Sequence, residues 1–230
     1  MPLRHSVLWT LRDTTTPEQR VEMLKGLAFL CLECMDVRAG DYGSDLFGGS
    51  QSLKDVKPYE RTPRWRSPGG PPANYDLALH LDFDDWAGHD AYGADPVHDA
   101  ASAFNEKVSW EEITARVDWW YDGPTLTKRG GVRHVAMLVW DDDATDAAKQ
   151  AAKDGARRLA DVAGVEAVTI GDNIGHLTTD FDWILDVQVA DEEAARELLS
   201  GSAYETAIES IAPATKFEWT ARLTHAMRGG

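Results

Sequence analysis

The chain has 230 residues, a formal net charge of −16, and 43% hydrophobic against 27% charged residues, the make-up of a soluble globular protein. That acidity leaves no basic footprint for nucleic acid, no apolar run approaches the roughly 18 residues of a membrane span, and the N-terminus lacks a signal-peptide core. Cys31 and Cys34 are the only cysteines, so no disulfide framework is expected and a cytoplasmic setting is the default.

Ser6 to Arg12 alternates, with Val7, Trp9 and Leu11 on one face and Ser6, Leu8 and Thr10 on the other, which predicts a strand. Thr16-Pro17-Glu18-Gln19 is a capping box with proline at the first helical position. It opens an amphipathic helix carrying Val21, Leu24, Leu27, Ala28 and Cys31. Cys31 and Cys34 form a C-x-x-C, but inside this apolar pattern and not at a strand-to-helix turn, so core packing is expected over redox chemistry. A third strand spans Tyr75 to Asp85, two helical pieces follow it, and a fourth strand holds Arg116 to Trp120. Glycine and proline then break both periodicities across residues 122–131.

The chain repeats itself after that break. Leu3–Asp13 matches Val132–Asp142, with Arg-His near the start of each; Gly40-Asp41 matches Gly171-Asp172; Tyr75–Asp85 matches Phe181–Asp191; and Arg116–Trp120 resembles Lys216–Thr220. Residues 1–121 therefore form one module, 122–131 a linker, and 132–230 a second module. Each reads β-α-β-β-α-β, an α+β ferredoxin-like unit with an antiparallel sheet and helices on one face. The other face is apolar too, with Leu8 in one copy and Val135, Met137 and Val139 in the other. A sheet with two apolar faces needs a second partner. The tandem copy supplies it, so the two sheets are expected to pack into an intramolecular dimeric α+β barrel, a pseudo-dimer that leaves a further homodimer open.

In the stretch Ala91–Phe104, Asp95 reads as a helix N-cap and Pro96 as the first helical residue, which puts His98 third. The positive end of the helix dipole there disfavours the imidazolium, so a neutral, base-competent His98 is expected. Tyr92 lies one short turn upstream, close enough for phenol and imidazole to share a cavity. The plainer alternative is a surface histidine.

These blocks resemble the stress-responsive dimeric A/B barrel family over nearly the whole chain, twice. The likeness is carried by Arg-His opening the first strand, the Gly-Asp turn after the second, the Tyr-Asp-Leu-Ala-Leu of the third, and Ala91-Tyr-Gly-Ala-Asp-Pro-Val-His98. The family includes polyketide cyclases, hydroxynitrile lyases and proteins of unknown activity. The first module is most similar to cyclases of the olivetolic-acid type, where a tyrosine and a histidine around a proline are acid–base partners. The resemblance puts those roles on Tyr92 and His98 and a substrate-orienting histidine on His5. A third-strand histidine of those enzymes falls on Leu77, so the match departs there. In the second module the tyrosine position holds Leu198 and the histidine position Tyr204, although His134 still opens its strand. The first module is thus the working half.

The segment Asp41–Asn74 is present in the first module only and exceeds the about 15 residues usual for a connection. It carries Tyr42, Leu46, Phe47, Tyr59 and Trp65 with Lys54, Lys57, Arg61, Arg64 and Arg66. Either it is a lid over the first pocket, offering Arg61, Arg64 and Arg66 to an anionic or carbonyl-bearing ligand, or it is a solvated insertion. His80 and Asp82, with counterparts Asp186 and Gln188, alternate away from Leu77, Leu79 and Leu81; a hydrogen-bonded polar core is expected there, and no metal spacing is diagnostic. His89, His176 and His225 show no partners in sequence and read as surface groups. The nine tryptophans suit strand packing or an aromatic-lined cavity.

The expectation from these readings is a cofactor-free acid/base enzyme, a cyclase, lyase or isomerase, acting on a hydrophobic carbonyl or polyketide-like small molecule. His98 is its base, Tyr92 polarises the carbonyl, His5 orients substrate, and Trp9, Leu77 and Leu79 line the pocket. Two alternatives stay open: a non-catalytic small-molecule-binding or stress-response protein, and a haem- or metal-dependent oxygenase or peroxidase.

Overall fold

The alternation that opens the chain becomes strand β1 (Leu3–Trp9), whose odd residues face helices and whose even residues face a second sheet. In a computed structural model, residues 2–47, 73–121, 123, 130–175, 181–216 and 220–229 are described. After β1 come α1 (Pro17–Glu33), β2 (Ala39–Ser44), β3 (Ala73–Asn74), β4 (Leu77–Phe83), α2 (Trp86–Gly93), α3 (Pro96–Val108) and β5 (Ala115–Trp120). The second copy runs β6 (Val132–Leu138), α4 (Asp146–Arg157), β7 (Val165–Asp172), β8 (Trp183–Val189), α5 (Glu192–Ser200), α6 (Ser202–Ile211) and β9 (Ala221–Ala226). The α+β architecture of two ferredoxin-like units is therefore as the sequence predicts.

The antiparallel strand orders are equivalent, β2-β4-β1-β5 and β7-β8-β6-β9, with β3 added in parallel beside β9. The sheets meet along two seams. At one, Ile174 N donates to Asp118 O at 2.9 Å and Trp119 lies against Gly171, where a Cβ would stand 2.1 Å from the indole. At the other, Leu46 N donates to Thr224 O at 2.8 Å and Thr224 N to Asp45 Oδ1 at 3.0 Å. Leu46 and Phe47 thus pack against the second half, with Arg196 over the Phe47 ring at 4.5 Å. The start of the Asp41–Asn74 segment, read from the sequence as either a lid over the first pocket or a solvated insertion, joins the second half along this seam. Arg61, Arg64 and Arg66 lie outside the described residues, as does His176.

Two sequence matches are out of register. Gly40 stands opposite Leu81, whereas Gly171 stands opposite Ile184, the counterpart of Ala78, so Gly43 is the true equivalent of Gly171. Gly40-Asp41 lies inside β2 and is no turn; a Cβ on Gly40 would meet Cys31 Sγ at 2.4 Å, so α1 packs directly on that backbone. Likewise the counterpart of Arg116–Trp120 is Arg222–Ala226 in β9: β6 pairs His134 with Thr224 as β1 pairs His5 with Asp118. Ladder hydrogen bonding sets this register, and a two-residue likeness is too short to specify it.

Helix α1 opens with the predicted capping box, Thr16 accepting from Gln19 N while the Gln19 side chain accepts from Thr16 N. Its buried face is Met23, Leu27, Leu30 and Cys31; Val21 is 52% exposed, a correction to the predicted stripe. Both cysteines are buried free thiols, and burial pushes Cys34 up to about 11 and Cys31 higher still, so neither is a ready nucleophile.

Between the sheets, an apolar layer of Leu8, Val117, Trp119, Val135, Met137, Ile184 and Leu223 adjoins a polar one. Arg4 Nε donates to Asp82 Oδ1 at 2.7 Å and Arg4 Nη1 to Asp186 Oδ2 at 3.1 Å. Arg133 donates to the same Asp186 oxygen and, through Nε, to Asp41 Oδ2 at 2.9 Å. Tyr121 OH donates to Asp82 Oδ2 at 2.7 Å while Arg4 lies 3.8 Å over its ring. His80 bonds Ser6 Oγ at 3.0 Å and stacks on His225, which is fully buried and not at the surface as expected. His80 and Asp82 therefore serve the polar core that their alternation predicts.

Removing one partner of a buried ion pair strands the other charge, at a cost of about 3–5 kcal/mol. Asp186→Ala leaves Arg4 its bonds to Asp82 and Arg133 its bond to Asp41, so it is expected to lower unfolding free energy in urea titrations by about 1.5–3 kcal/mol, the worth of a charged hydrogen bond; a loss under about 0.5 kcal/mol would show that the carboxylate does not join the halves. Burial holds His80 and His225 below the ordinary imidazole value; Arg133 adds to the effect for both, and Asp41 opposes it at His225. The unfolded chain then binds more protons than the native one below about pH 6.5, so stability is full above that pH and falls as pH drops through it. Urea midpoints unchanged between pH 7 and pH 5 would contradict this.

Candidate functional site

The helix-facing side of the first sheet holds a cluster that its register assembles. His5 and Asp118 are direct cross-strand partners, and His5 Nδ1 lies 2.6 Å from Asp118 Oδ1. Helix α2, capped by Asp85 accepting from Gly88 N, carries His89 and Tyr92 three residues apart and so on one face. His89 Nε2 comes within 3.5 Å of the same Asp118 oxygen. The chain then breaks at Asp95, whose side chain accepts from Val97 N at 2.8 Å, and Pro96 restarts it as α3. His98 is thereby the third residue of α3, as predicted, and its ring meets Tyr92 edge-on at 4.6 Å.

The rings of His5 and His89 lie 5.2 Å apart, and Tyr92 is 6.1 Å from His5 and 6.3 Å from His89. His5, His89, Tyr92 and Asp118 are all buried, while the His98 side chain keeps 29% of its surface. A cavity of about 50 Å³ is lined by His5, Trp9, Leu79, Tyr92, His98, Asn105 and Arg116. Leu77, expected to line it, packs instead in the hydrophobic cluster beneath, next to the buried Asp76, whose carboxylate accepts from Leu11 N. Asp118 and His89 are the residues missed from the sequence, and His89 sits in the cluster and not at the surface as expected. Its signal was the Asp85 cap, which places position 89 on the same inward stripe as Tyr92.

Burial lowers the His98 imidazole below its ordinary value, and neighbouring His5 adds to the effect. A neutral His98 is the outcome expected from the helix terminus, but desolvation is its main cause. Burial also pushes the Tyr92 phenol upward, so it stays protonated and able to donate. For Asp118, burial alone would raise the carboxyl, yet His5 and His89 together hold it well below the usual range. The site thus couples a fixed carboxylate, a neutral imidazole and a phenol donor around one small space.

At the equivalent place in the second half the polar groups are hydrogen-bonded to one another. His134 is hydrogen-bonded at both ring nitrogens, to Thr224 Oγ1 at 2.8 Å and Tyr204 OH at 2.9 Å. Burial and then Arg222 lower its pKa to about 3, so it is neutral at any ordinary pH. Strand register aligns Thr224 with Asp118, and counting from the matching helix caps Asp85 and Asp191 aligns Ala195 with His89 and Leu198 with Tyr92.

No curated protein matches the chain in sequence. Similar crystal structures include an anthrone oxidase-like protein (TM-score 0.67, 12% identity, covering 100% of this chain and 92% of that one). A protein of Fusobacterium nucleatum described as a candidate monooxygenase gives 0.61 at 8% identity, covering 98% and 92%. A Lactobacillus acidophilus protein described in the same way gives 0.56 at 14% identity, covering 98% and 93%. At these identities the likeness is one of fold. The profile of the stress responsive A/B barrel domain matches residues 3–119, and with the duplicated β-α-β-β-α-β units already described, this chain belongs to that family.

Proposed function

We propose that the first half is an acid/base enzyme that moves a proton next to the carbonyl of a small apolar compound, in a cyclisation, lyase or isomerase reaction. The observation that carries this reading is the edge contact of Tyr92 and His98 at the wall of a small cavity. A neutral imidazole accepts the proton, and a protonated phenol donates a hydrogen bond to the carbonyl oxygen as negative charge develops there. His5, held by Asp118, orients the substrate, and Trp9 and Leu79 give the space its apolar wall. Proton transfer of this kind needs no redox step. A cavity of about 50 Å³ suits a compound of a few heavy atoms, so a polyketide-sized substrate would require α3 to move outward.

The test is Cα–H/D exchange in deuterated buffer, followed by NMR on a panel of small ketones, hydroxy-aldehydes and 1,3-dicarbonyl compounds. Wild-type protein is expected to exchange at least one of them, His98→Ala to lose roughly 100-fold or more, and Tyr92→Phe roughly 10-fold or more. Exchange by His98→Ala at the wild-type rate would overturn the assignment.

A further inference from the structure

Beside Tyr92 and His98, three side chains converge that this proton transfer does not need as a set: His5 from β1, His89 from α2 and Asp118 from β5. Each offers one donor atom, and these atoms lie within 4.8 Å of one another. We propose that His5, His89 and Asp118 form a binding site for one divalent first-row transition metal ion. Two imidazoles and one carboxylate are the donor set that zinc, cobalt, nickel and ferrous iron accept, and a three-ligand set leaves positions for water or substrate. Bonds of about 2.0–2.2 Å place donors about 3–3.5 Å apart in a tetrahedral shell. The His89–Asp118 pair already has that spacing at 3.5 Å, and the His5–Asp118 pair, at 2.6 Å, need open by under about 1 Å.

Placement favours an ion over chance clustering. The β1–β5 register holds His5 opposite Asp118, so two ligands are set by backbone ladders and not by flexible side chains. All three residues are at most 6% exposed, which excludes competing solvent. The nearest fixed cation on β5, Arg116, has its charge taken up by Glu111 at 2.5 Å. The duplicate acts as an internal control. It keeps His134 where the first half has His5, but carries Ala195 and Thr224 in place of His89 and Asp118, so two of the three donors are gone together. A ligand set bordering the cavity through His5 would put the ion beside the Tyr92–His98 pair.

The inference goes beyond the acid/base reading and is tested without turnover, so either can fail alone. The whole chain, stripped with a chelator, is titrated with Zn²⁺ by calorimetry and with Co²⁺ by visible absorption. One equivalent is expected to bind at micromolar affinity or tighter, with cobalt bands of a four- or five-coordinate site. His89→Ala and Asp118→Thr install residues that the second half carries at the same positions. Each is expected to weaken uptake by more than the roughly 10–100-fold that loss of an outer-shell partner costs. His98→Ala is expected to bind metal within about threefold of wild type, the ligands being untouched. Absence of saturable uptake, or uptake indifferent to His89→Ala, overturns the site in favour of an ion-free His–Asp–His hydrogen-bonded group. Should Asp118→Thr fail to fold by circular dichroism, His89→Ala alone decides.

Discussion

One carboxylate oxygen, Asp186 Oδ2, receives a guanidinium from each half of the molecule, Arg4 from β1 and Arg133 from β6. Both arginines are wholly buried, so their charges are tolerable only because carboxylates meet them inside the barrel. This junction explains why duplication in one chain matters. In a symmetric dimer the position of Asp186 would repeat as two carboxylates or as two imidazoles. Here the two copies have diverged, with His80 in one and Asp186 in the other, and a single acid serves both arginines. Asp82 and Gln188 have diverged in the same way, Asp82 taking Arg4 and Tyr121.

The helix-facing surfaces have parted along the same line. The first half gathers His5, His89, Asp118, Tyr92 and His98 around a cavity, whereas the second closes its space with a Tyr204–His134–Thr224 chain of hydrogen bonds. A pocket closed by satisfied polar groups is cheap to keep, while one lined by titratable groups carries desolvation costs that show in the lowered His98 and raised Tyr92. The seams join the two halves at the site: the backbone carbonyl of Asp118 accepts from Ile174 N of the other half.

The duplication, the module order and the polar alternation of β4 were legible because they rest on periodicity and long repeats. The Asp95–Pro96 break was legible for a local reason: a side-chain cap and a fixed φ need no tertiary context. Histidines 89 and 225 read as surface groups because an isolated polar residue carries no sign of what packs over it. Leu46 and Phe47 suggested a lid because their apolar character calls for cover, but composition does not say which surface provides it.

By itself the sequence determined the secondary elements, the pairing of two like modules and the presence of Tyr92 and His98 on neighbouring helical turns. These follow from forces acting within a few residues or repeated along the chain. Only the tertiary structure decided that His5 faces Asp118, that His89 joins them, and that one aspartate bridges two arginines from different halves. Such meetings depend on strand register and on closure of two seams, where a shift of one residue would turn every side chain to the opposite face.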